Sequence, residues 1–380
     1  MVEKVFILGS TGSIGINTLN VIRRFPKLFK VVGLSAYNNT HVLEQQIREF
    51  KPSFVAVGEA GIKSLKKISS SIKIYSVDQD LEFLVSLKNV DSVILAMKAF
   101  IALKPFLAAI KAGKKVATAN KEALVAAGDL IMKEVQRFKG CVIPIDSEQS
   151  AIFQCLEHRT LNELKCIHLT ASGGPLLNVS TAKFDQLSVG DILKHPRWKM
   201  GKRITVDSAT LMNKGFEVIE AKHLFNVQMK DIKVLIHPEA IIHSMTEFCD
   251  GSIMAQLGVT DMRLPIQYAL TYPRRLKTEL ESLDFARIKN FTFLNPDLKK
   301  FPALNLAMVA GHQGGTVPAV LNGADEIAVD AFLDEKIQFS RIYKIVEKVV
   351  QKHKNKLNPN LNDILSADQW AREEALSLVN

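Results

Sequence analysis

Cysteine is scarce in this 380-residue chain, and long apolar runs are lacking. Cys141, Cys155, Cys166 and Cys249 have no CxxC spacing, which is typical of reduced cysteines and gives no indication of a disulfide framework or a zinc requirement. The chain has no stretch of roughly 18 to 20 apolar residues that a membrane helix needs, and no charged leader with a cleavage site. We therefore expect a cytoplasmic protein with no membrane partner.

Basic residues outnumber acidic ones, 49 against 39, which gives a net charge of +10. Such an excess is compatible with nucleic-acid binding or with attraction of phosphorylated metabolites and cofactors. The basic residues are spread along the chain and form no dense cluster interleaved with aromatic residues. We therefore expect small phosphorylated partners and no nucleic acid.

The first 145 residues repeat one pattern, in which a β-branched run is followed by a turn and an amphipathic segment. This alternation is typical of βαβ units and predicts a doubly wound, mostly parallel sheet. The predicted buried strands span residues 4–8, 30–36, 54–57, 72–77, 93–97, 115–119 and 141–145.

A glycine-rich turn, Gly9-Ser-Thr-Gly12-Ser-Ile-Gly15, joins the first predicted strand to a helix predicted over 16–25. Its GxxGxxG spacing differs from the GxGxxG fingerprint, and glycine is also common where turn geometry alone requires it. Between a strand and a helix, however, such a turn brings helix amides close to a pyrophosphate. The turn therefore predicts dinucleotide binding.

The segment after the second predicted strand lacks the carboxylate that usually selects NAD. Tyr37, Asn38 and Asn39 are neutral where Asp or Glu would repel a 2′-phosphate, so NADP is favoured. The same three residues are equally common in ordinary turns.

Two carboxylates lie close together in Pro144-Ile-Asp146-Ser147-Glu148-Gln-Ser150. If this segment is extended, its period of two directs both carboxylates to one side, as in an oxygen-rich site for a divalent cation. The same pair is also common in solvated turns. A third carboxylate downstream, Glu217, favours the metal site.

Glu217 ends the segment 206–217, whose latter part is predicted to be a helix after a Ser or Asp N-cap. Asn213 and Lys214 precede Glu217 by four and three residues and therefore lie beside it on the helix. One interpretation is a capped helix with a local ion pair. The other is an anion pocket of Ser208, Asn213 and Lys214 at a helix N-terminus, with Glu217 facing a metal.

Two irregular segments fit the anion-pocket interpretation. Ala171-Ser172-Gly-Gly-Pro175 follows a strand-like stretch at 167–170 and either presents amides and a hydroxyl to a phosphate or is merely a turn. In the segment 194–201, Pro196 disfavours helix at His195. That segment predicts a loop bearing an imidazole and an indole, which is either a lid or an ordinary surface loop.

Motifs in a fixed order extend through the whole chain. They are GSTGSIG at 9–15, ANKEALV at 119–125, PIDSEQSAIFQ at 144–154, ASGGP at 171–175, HPRWKMG at 195–201, VDSATLMNKGFEVIEA at 206–221, IHPEAIIHSM at 236–245, DMRLPIQYAL at 261–270 and FPALNLA at 301–307. Many oxidoreductases share the glycine turn, but the ordered combination of the others is specific. With these motifs the chain resembles the 1-deoxy-D-xylulose 5-phosphate reductoisomerase family from end to end.

The resemblance implies roles for individual residues. Asp146, Glu148 and Glu217 would bind one Mg²⁺ or Mn²⁺ ion, and Lys121, Glu148 and His195 would be catalytic. Three of the substrate contacts, His195, Trp198 and Met200, would belong to a flexible lid. The implied substrate contacts are Ser147, Glu148, Ser172, His195, Trp198, Met200, Ser208, Asn213, Lys214 and Glu217.

The resemblance also implies NADPH as the cofactor, with Lys121 near the nicotinamide and the reacting carbonyl. Asn38 stands where some relatives have a basic residue or a serine. We therefore expect Asn39 and backbone amides to select NADP, less strictly than in those relatives. The implied cofactor contacts are Gly9, Ser10, Thr11, Gly12, Ser13, Ile14, Asn38, Asn39, Asn120, Lys121, Glu122 and Gly201.

The implied reaction rearranges 1-deoxy-D-xylulose 5-phosphate and reduces the product with NADPH to 2-C-methyl-D-erythritol 4-phosphate, a step of non-mevalonate isoprenoid synthesis. The metal would act as a Lewis acid on the substrate's ketone and adjacent hydroxyl. Phosphate binding would supply the free energy that closes the lid.

The expected fold class is α/β, with a Rossmann-like NADP domain at 1–146, an α/β catalytic domain at 147–275, a connecting segment at 276–297 and a C-terminal helical bundle at 298–380. Helical patterns in the last domain are separated by Gly314-Gly315, Asn322-Gly323 and Asn358-Pro359. The resemblance implies a homodimer, joined largely through the catalytic domain.

Two other functions are compatible with parts of this pattern. An NADP dehydrogenase of the aspartate-semialdehyde or homoserine kind would share the fold, but would not be expected to need the DSE and MNKGxE segments. A basic binding protein without enzymatic activity would show salt-sensitive affinity for DNA or RNA and no cofactor binding.

Overall fold

The computed structural model describes residues 2–66, 72–97, 100–198 and 200–379. Lys199, inside the predicted loop at 194–201, lies outside these ranges. Within them, none of the helices combines the length and the hydropathy of a membrane-spanning segment.

The strands and helices are numbered along the sequence. The strands are β1 (Glu3–Leu8), β2 (Phe29–Ala36), β3 (Phe54–Val57), β4 (Lys73–Ser76), β5 (Ser92–Leu95), β6 (Lys115–Thr118), β7 (Cys141–Pro144), β8 (Leu164–Ala171), β9 (Ile232–Ile236), β10 (Ile242–Phe248) and β11 (Ile253–Leu257). The α-helices are α1 (Ser13–Arg24), α2 (Thr40–Phe50), α3 (Glu59–Leu65), α4 (Val77–Val85), α5 (Leu103–Lys111), α6 (Lys121–Phe138), α7 (Ser147–Cys155), α8 (Val189–Ile192), α9 (Lys202–Thr210), α10 (Met212–Leu224), α11 (Arg263–Thr271), α12 (Pro302–Gln313), α13 (Val317–Leu333), α14 (Phe339–Lys352) and α15 (Leu361–Val379). Short 3₁₀ turns span Phe100–Ala102, Leu161–Glu163, Thr181–Gln186 and Met229–Asp231.

The chain divides into two compact units, the first of which comprises Met1–Ala123, Ile131–Ser150 and Asp261–Leu280. Its strands form one parallel sheet in the order β4-β3-β2-β1-β5-β6-β7. The chain enters at β1, winds to one side as far as β4, and then returns to β5 on the other side of β1. The predicted doubly wound sheet is therefore confirmed, with its topological switch point between β1 and β5.

The composition of these strands explains their position. Apolar residues of β1, β3 and β5 are almost fully buried, with Val5, Val55 and Ile94 each 0% exposed. Continuous apolar runs are what a parallel sheet requires when helices cover both of its faces. The predicted strands all coincide with observed ones, to within about two residues at each end.

The second unit comprises Leu124–Leu130, Ala151–Thr260 and Glu281–Asn380. Its strands pair in the order β11-β10-β8-β9, with β8 parallel to β9 and antiparallel to β10. Because side chains alternate along a strand, Ile167 and Leu169 of β8 face a hydrophobic core that also contains Phe216 and residues of the C-terminal helices. The sheet and those helices therefore share one core.

One predicted helix boundary in the C-terminal region is wrong. The breaks at Gly314-Gly315 and Asn358-Pro359 are present, but α13 continues without interruption through Asn322-Gly323. A Cβ atom at Gly323 would lie 3.0 Å from the carbonyl oxygen of Asp368 in α15. Glycine at this position therefore allows close helix packing and does not form a turn.

Candidate functional site

The glycine turn lies at the carboxyl end of β1, beside the switch point of the sheet. Gly9 has a φ of +84°, and a Cβ there would lie 2.8 Å from the backbone of Ala96 and Met97. A Cβ on Gly15 would lie 2.4 Å from the carbonyl oxygen of Gly9. Helix α1 begins directly after its N-cap, Gly12. The turn thus has the geometry of a pyrophosphate site, with the first helix amides at the end of a central strand.

A buried polar network holds this turn in place. The amide of Ser10 donates to the carbonyl oxygen of Ser35 at 2.8 Å, and its hydroxyl donates to Oε1 of Gln46 at 2.7 Å. Gln46, from α2, returns a hydrogen bond from Nε2 to the carbonyl oxygen of Ser10 at 2.9 Å. The Ser10 side chain, which the resemblance implies is a cofactor contact, is therefore buried beneath the turn and hydrogen-bonded to Gln46.

Gln46 was not predicted from the sequence to support the turn. Its signal is a polar residue between Leu43 and Ile47 on the buried face of α2, where an apolar residue would be expected. A buried amide of this kind needs hydrogen-bond partners, and the turn provides them. Nearby, Asn38 and Asn39 are both exposed, and Asn39 is the N-cap of α2, where its side chain accepts a hydrogen bond from the amide of Val42 at 3.2 Å.

Lys121 and Asp146 form an ion pair at the carboxyl ends of two neighbouring strands. The Nζ atom of Lys121 lies 3.0 Å from Oδ2 of Asp146, and the two side chains are 8% and 13% exposed. Lys121 is the first residue of α6, and its N-cap, Asn120, accepts a hydrogen bond from the amide of Ala123. Because β6 and β7 are adjacent and parallel, both partners leave the same edge of the sheet.

The extended conformation considered for residues 146–148 is wrong. Helix α7 begins at Ser147, so Asp146 immediately precedes the helix and Glu148 lies in its first turn. The hydroxyl of Ser147 donates to Oε2 of Glu148 at 2.7 Å. Acidic residues and serine are favoured at a helix N-terminus because of its free amides and dipole, and this local preference overrides the strand pattern.

Glu217 is a buried carboxylate with two local donors. The Nδ2 atom of Asn213 donates to one of its oxygens at 2.6 Å, and the Nζ atom of Lys214 donates to the other at 2.5 Å. Glu217 and Lys214 are 1% and 3% exposed. The local ion pair is therefore present, and it occupies the first turns of α10, where an anion pocket was also proposed.

The predicted Ser or Asp N-cap before this helix is wrong. Asp207 and Ser208 lie inside α9, whose own N-cap is Gly201. Leu211, with a φ of +61°, separates α9 from α10 and is the N-cap residue of α10 without a side-chain bond. Ser208 is nevertheless close to the glycine loop, since a Cβ at Gly174 would lie 2.4 Å from its carbonyl oxygen.

Ser172 and His195 come together in the second unit. The hydroxyl oxygen of Ser172 lies 3.2 Å from Nε2 of His195. The Nδ1 atom of His195 accepts hydrogen bonds from the amides of Arg197 and Trp198, at 3.2 and 2.9 Å. Because Nδ1 is an acceptor, the neutral imidazole carries its proton on Nε2 and donates it to Ser172. The predicted irregular structure of residues 194–198 is confirmed. In this segment, the Trp198 ring lies 6.2 Å from the ring of His243.

A buried charge network fixes α9 against the C-terminal helices. Arg203 donates to Glu326 at 2.8 Å, and Arg372 of α15 donates to the same carboxylate at 3.0 Å. Asp325 is 0% exposed in this network. Burial, together with the nearby carboxylate of Asp207, raises the pKa of Asp325 well above its usual range. This network was not predicted from the sequence, because Arg203 and Glu326 are 123 residues apart and Glu326 and Arg372 are 46 residues apart.

Three stretches of the chain match family models for the same group of proteins. Residues 5–128 match the family described as 1-deoxy-D-xylulose 5-phosphate reductoisomerase. Residues 142–225 match the C-terminal domain of that reductoisomerase, and residues 257–374 match the DXP reductoisomerase C-terminal domain.

Individual relatives are similar over nearly their full length. The 1-deoxy-D-xylulose 5-phosphate reductoisomerase of Pelotomaculum thermopropionicum is 47% identical over 381 residues, covering 99% of this chain and 98% of the relative. The Zymomonas mobilis enzyme, solved in complex with NADPH, is 39% identical with a TM-score of 0.93 and 100% coverage of both chains. A DOX-P reductoisomerase solved with NADPH, fosmidomycin and magnesium is 37% identical with a TM-score of 0.96, covering 100% of this chain and 98% of the other.

We expect Gln46→Ala to lower the free energy of unfolding by about 1–3 kcal/mol, because the carbonyl group of Ser10 loses the amide donor of Gln46 and the hydroxyl of Ser10 keeps only its more distant acceptor, the carbonyl oxygen of Ser35. The measurement is urea unfolding followed by circular dichroism. The control is Gln45→Ala, an exposed neighbour of the same type, for which a change within about 0.5 kcal/mol is expected. Equal effects of the two substitutions would show that the buried network does not stabilise the turn.

We expect Asp325→Asn to become more stable relative to the unsubstituted protein as the pH rises from about 4 towards neutrality. The raised pKa means that the folded state retains a proton that the unfolded chain releases, so Asp325 lowers the stability progressively across this range. Urea unfolding at several pH values measures the difference. The control is Asp334→Asn, at an exposed position after α13, and a pH-independent difference for Asp325→Asn would contradict the assignment.

Proposed function

The chain belongs to the 1-deoxy-D-xylulose 5-phosphate reductoisomerase family, and we propose that Asp146, Glu148 and Glu217 hold its divalent cation. The reaction is the rearrangement and NADPH-dependent reduction of 1-deoxy-D-xylulose 5-phosphate to 2-C-methyl-D-erythritol 4-phosphate, in isoprenoid precursor synthesis. The observation that carries the residue assignment is Glu217, a buried carboxylate held by Asn213 and Lys214 in the first turns of α10.

The chemistry of these donors fits Mg²⁺ or Mn²⁺. All three side chains offer carboxylate oxygens, which hard divalent cations prefer, and no nitrogen or sulfur ligand belongs to the proposed set. When bound, the cation supplies a Lewis acid for the ketone and the adjacent hydroxyl of the substrate. Lys121 and Lys214 each pair with one of the carboxylates, which keeps the buried negative charge balanced and the side chains in fixed positions.

We assign the substrate's phosphate to Ser172, Ser208, Asn213 and Lys214. Lys214 provides a positive charge, and the loop after β8 contains two consecutive glycines with positive φ, Gly173 and Gly174, the second of which donates its amide to the hydroxyl of Ser172 at 3.3 Å. The loop packs closely against the carbonyl group of Ser208, as described above. Hydroxyl, amide and ammonium donors in such an arrangement are what a phosphate requires.

We further propose that Ser147 and Glu148 contact the substrate, that His195, Trp198 and Met200 cover it, and that Glu148 and His195 take part in the chemistry. The neutral His195 donates a hydrogen bond from Nε2 to Ser172. The same N–H group can donate to an oxygen of the substrate instead. A covering loop excludes water from the reacting carbons and protects the reduced cofactor from side reactions.

The proposed NADPH site runs along the carboxyl edge of the parallel sheet. It includes the turn from Gly9 to Ile14, the segment from Asn120 to Glu122, and Gly201. NADPH, when bound, supplies the hydride, and Lys121 would orient the reacting carbonyl group beside it. Asn38 and Asn39 also belong to it, and discrimination against NADH would depend on Asn39 and backbone amides, because a carboxylate after β2 is lacking.

We also propose a homodimer joined through the catalytic domain. Strand β11 is at the edge of its sheet within the described residues, and its Ile253 and Met254 are 55% and 40% exposed. An exposed apolar edge strand is a template for pairing with another chain.

We also propose that the protein is located in the cytoplasm. The proposed functional domains are those predicted from the sequence, at 1–146, 147–275, 276–297 and 298–380.

We expect purified protein to oxidise NADPH in the presence of 1-deoxy-D-xylulose 5-phosphate and Mg²⁺ or Mn²⁺. NADPH oxidation should stop when a chelator is added. Glu217→Gln should lower kcat/KM by roughly 100-fold or more, because a charged ligand is lost, while NADPH binding measured by fluorescence persists. The control is Glu373→Gln, an exposed acid-to-amide change in α15.

The possible outcomes separate the two parts of this assignment. Unchanged activity of Glu217→Gln would exclude this residue as a metal ligand, although the reaction would stand. If the unsubstituted protein binds NADPH tightly but does not oxidise it, the cofactor site would be supported and 1-deoxy-D-xylulose 5-phosphate would be excluded as the substrate.

We expect the protein to sediment as a dimer, and Ile253→Lys to shift it towards the monomer, because a charge on the exposed edge strand opposes pairing. Analytical ultracentrifugation measures both. The control is Phe83→Lys, at a position that is 56% exposed in the first unit. A monomeric unsubstituted protein would exclude the proposed dimer.

A further inference from the structure

Three side chains with metal-binding atoms lie together on β8 and β10. Cys166 and His168 are two residues apart on β8 and therefore lie on one face of the sheet, opposite the core face of Ile167 and Leu169. Glu247 of β10 is the direct cross-strand partner of Cys166. The sulfur atom, Nε2 of His168 and Oε2 of Glu247 each lie within hydrogen-bonding distance of the other two.

We propose that Cys166, His168 and Glu247 form a binding site for a borderline divalent cation, Zn²⁺, separate from the carboxylate set assigned to Mg²⁺ or Mn²⁺. This inference does not depend on the proposed function, since none of the three residues belongs to the substrate, cofactor or catalytic metal assignments. A thiolate, an imidazole and a carboxylate are the ligands that Zn²⁺ takes in proteins, whereas Mg²⁺ does not select sulfur or nitrogen.

The distances between the ligand atoms match one face of a tetrahedron around zinc. Ordinary Zn–S, Zn–N and Zn–O bonds at the tetrahedral angle place their ligand atoms roughly 3.3–3.6 Å apart. The observed separations are 3.4 Å from sulfur to nitrogen, 3.2 Å from sulfur to oxygen and 3.1 Å from nitrogen to oxygen. Movements of a few tenths of an ångström therefore suffice to admit the ion.

Burial and the surrounding charges are compatible with this occupant. Cys166 is 3% exposed, while the side chains of His168 and Glu247 are 13% and 15% exposed, so a fourth position is open to a water molecule. Hydrogen bonds from Lys165, Cys166 and His168 lower the pKa of Glu247 to about 2. Its carboxylate is therefore ionised near neutral pH, with Oε1 bound to Lys165 and Oε2 directed at the cluster.

A nucleophilic role for Cys166 does not fit the same surroundings. A reactive cysteine requires a lowered pKa, whereas burial and the neighbouring Glu247 raise the pKa of this thiol. Zinc coordination removes the thiol proton instead. The S–H bond breaks, a Zn–S bond forms, the proton passes to solvent, and no oxidation or reduction takes place. Thiolate and carboxylate together then balance the two charges of the ion.

The test uses Co²⁺ as a spectroscopic probe in the full-length protein, reduced with a phosphine and supplied with excess Mg²⁺. We expect a thiolate-to-cobalt charge-transfer absorption that Zn²⁺ abolishes by competition. Cys166→Ser should lack this band and should bind Zn²⁺ at least about tenfold more weakly in competition with a chromophoric chelator. Cys141→Ser, a cysteine-to-serine control on β7, should retain both properties.

A second variant and an activity assay distinguish the loss of a zinc ligand from misfolding of the variant. Glu247→Gln should retain the thiolate band and lose at least about tenfold in Zn²⁺ affinity, since the charged oxygen ligand is gone. NADPH oxidation by Cys166→Ser with Mg²⁺ shows whether that variant folds. Cobalt bound only by carboxylates gives no thiolate band. Absence of the band in the unsubstituted protein, or an equal band in Cys166→Ser, would overturn the proposal.

Discussion

The pairing of buried carboxylates with lysines is the interaction on which the candidate site depends. Asp146 with Lys121, and Glu217 with Lys214, are ion pairs with little exposure, and each pair lies where a helix begins. An unpaired carboxylate in such a position would be strongly destabilising. Each pair therefore forms only if the helix that carries its lysine begins at the correct residue, which depends on the strand or helix before it. The adjacent ends of β6 and β7 set the first pair, and the boundary at Leu211 sets the start of the helix that carries the second.

Buried hydrogen bonds away from the reacting groups keep these positions fixed. In the first unit, Gln46 and Ser35 hold the glycine turn through Ser10. In the second unit, Arg203 fixes α9, the helix that carries Ser208, to Glu326 in α13. Polar networks of this kind favour one arrangement of the backbone over others, because each member loses its partners if an element shifts. Gln46 and Glu326 are outside the proposed substrate, cofactor and metal contacts, and they act by fixing the elements that carry those contacts.

Much of the fold could be predicted from the sequence, because continuous apolar runs, turn residues and amphipathic periods are local signals. The parallel sheet, the glycine turn and the loop at His195 were all predicted in this way. The errors occurred where two local signals compete. Asp146 to Glu148 fits both an extended strand and a helix start, and Asn322-Gly323 fits both a turn and a close helix contact. Contacts between distant segments, such as Gln46 with Ser10 or Glu247 with Cys166, leave no periodic pattern. The fold alone reveals them.

The two glycines at positions 9 and 15 have a consequence for how mutations accumulate in this protein. Any side chain at Gly9 or Gly15 would collide with backbone atoms, which cannot move aside as a flexible side chain can. Selection against substitution there acts through the shape of the main chain, before any ligand is recognised. A lineage that changed its nucleotide would still retain both glycines, whereas residues such as Asn38 would be free to drift. The history of cofactor preference is therefore to be sought at the exposed positions after β2 and not in the glycine turn.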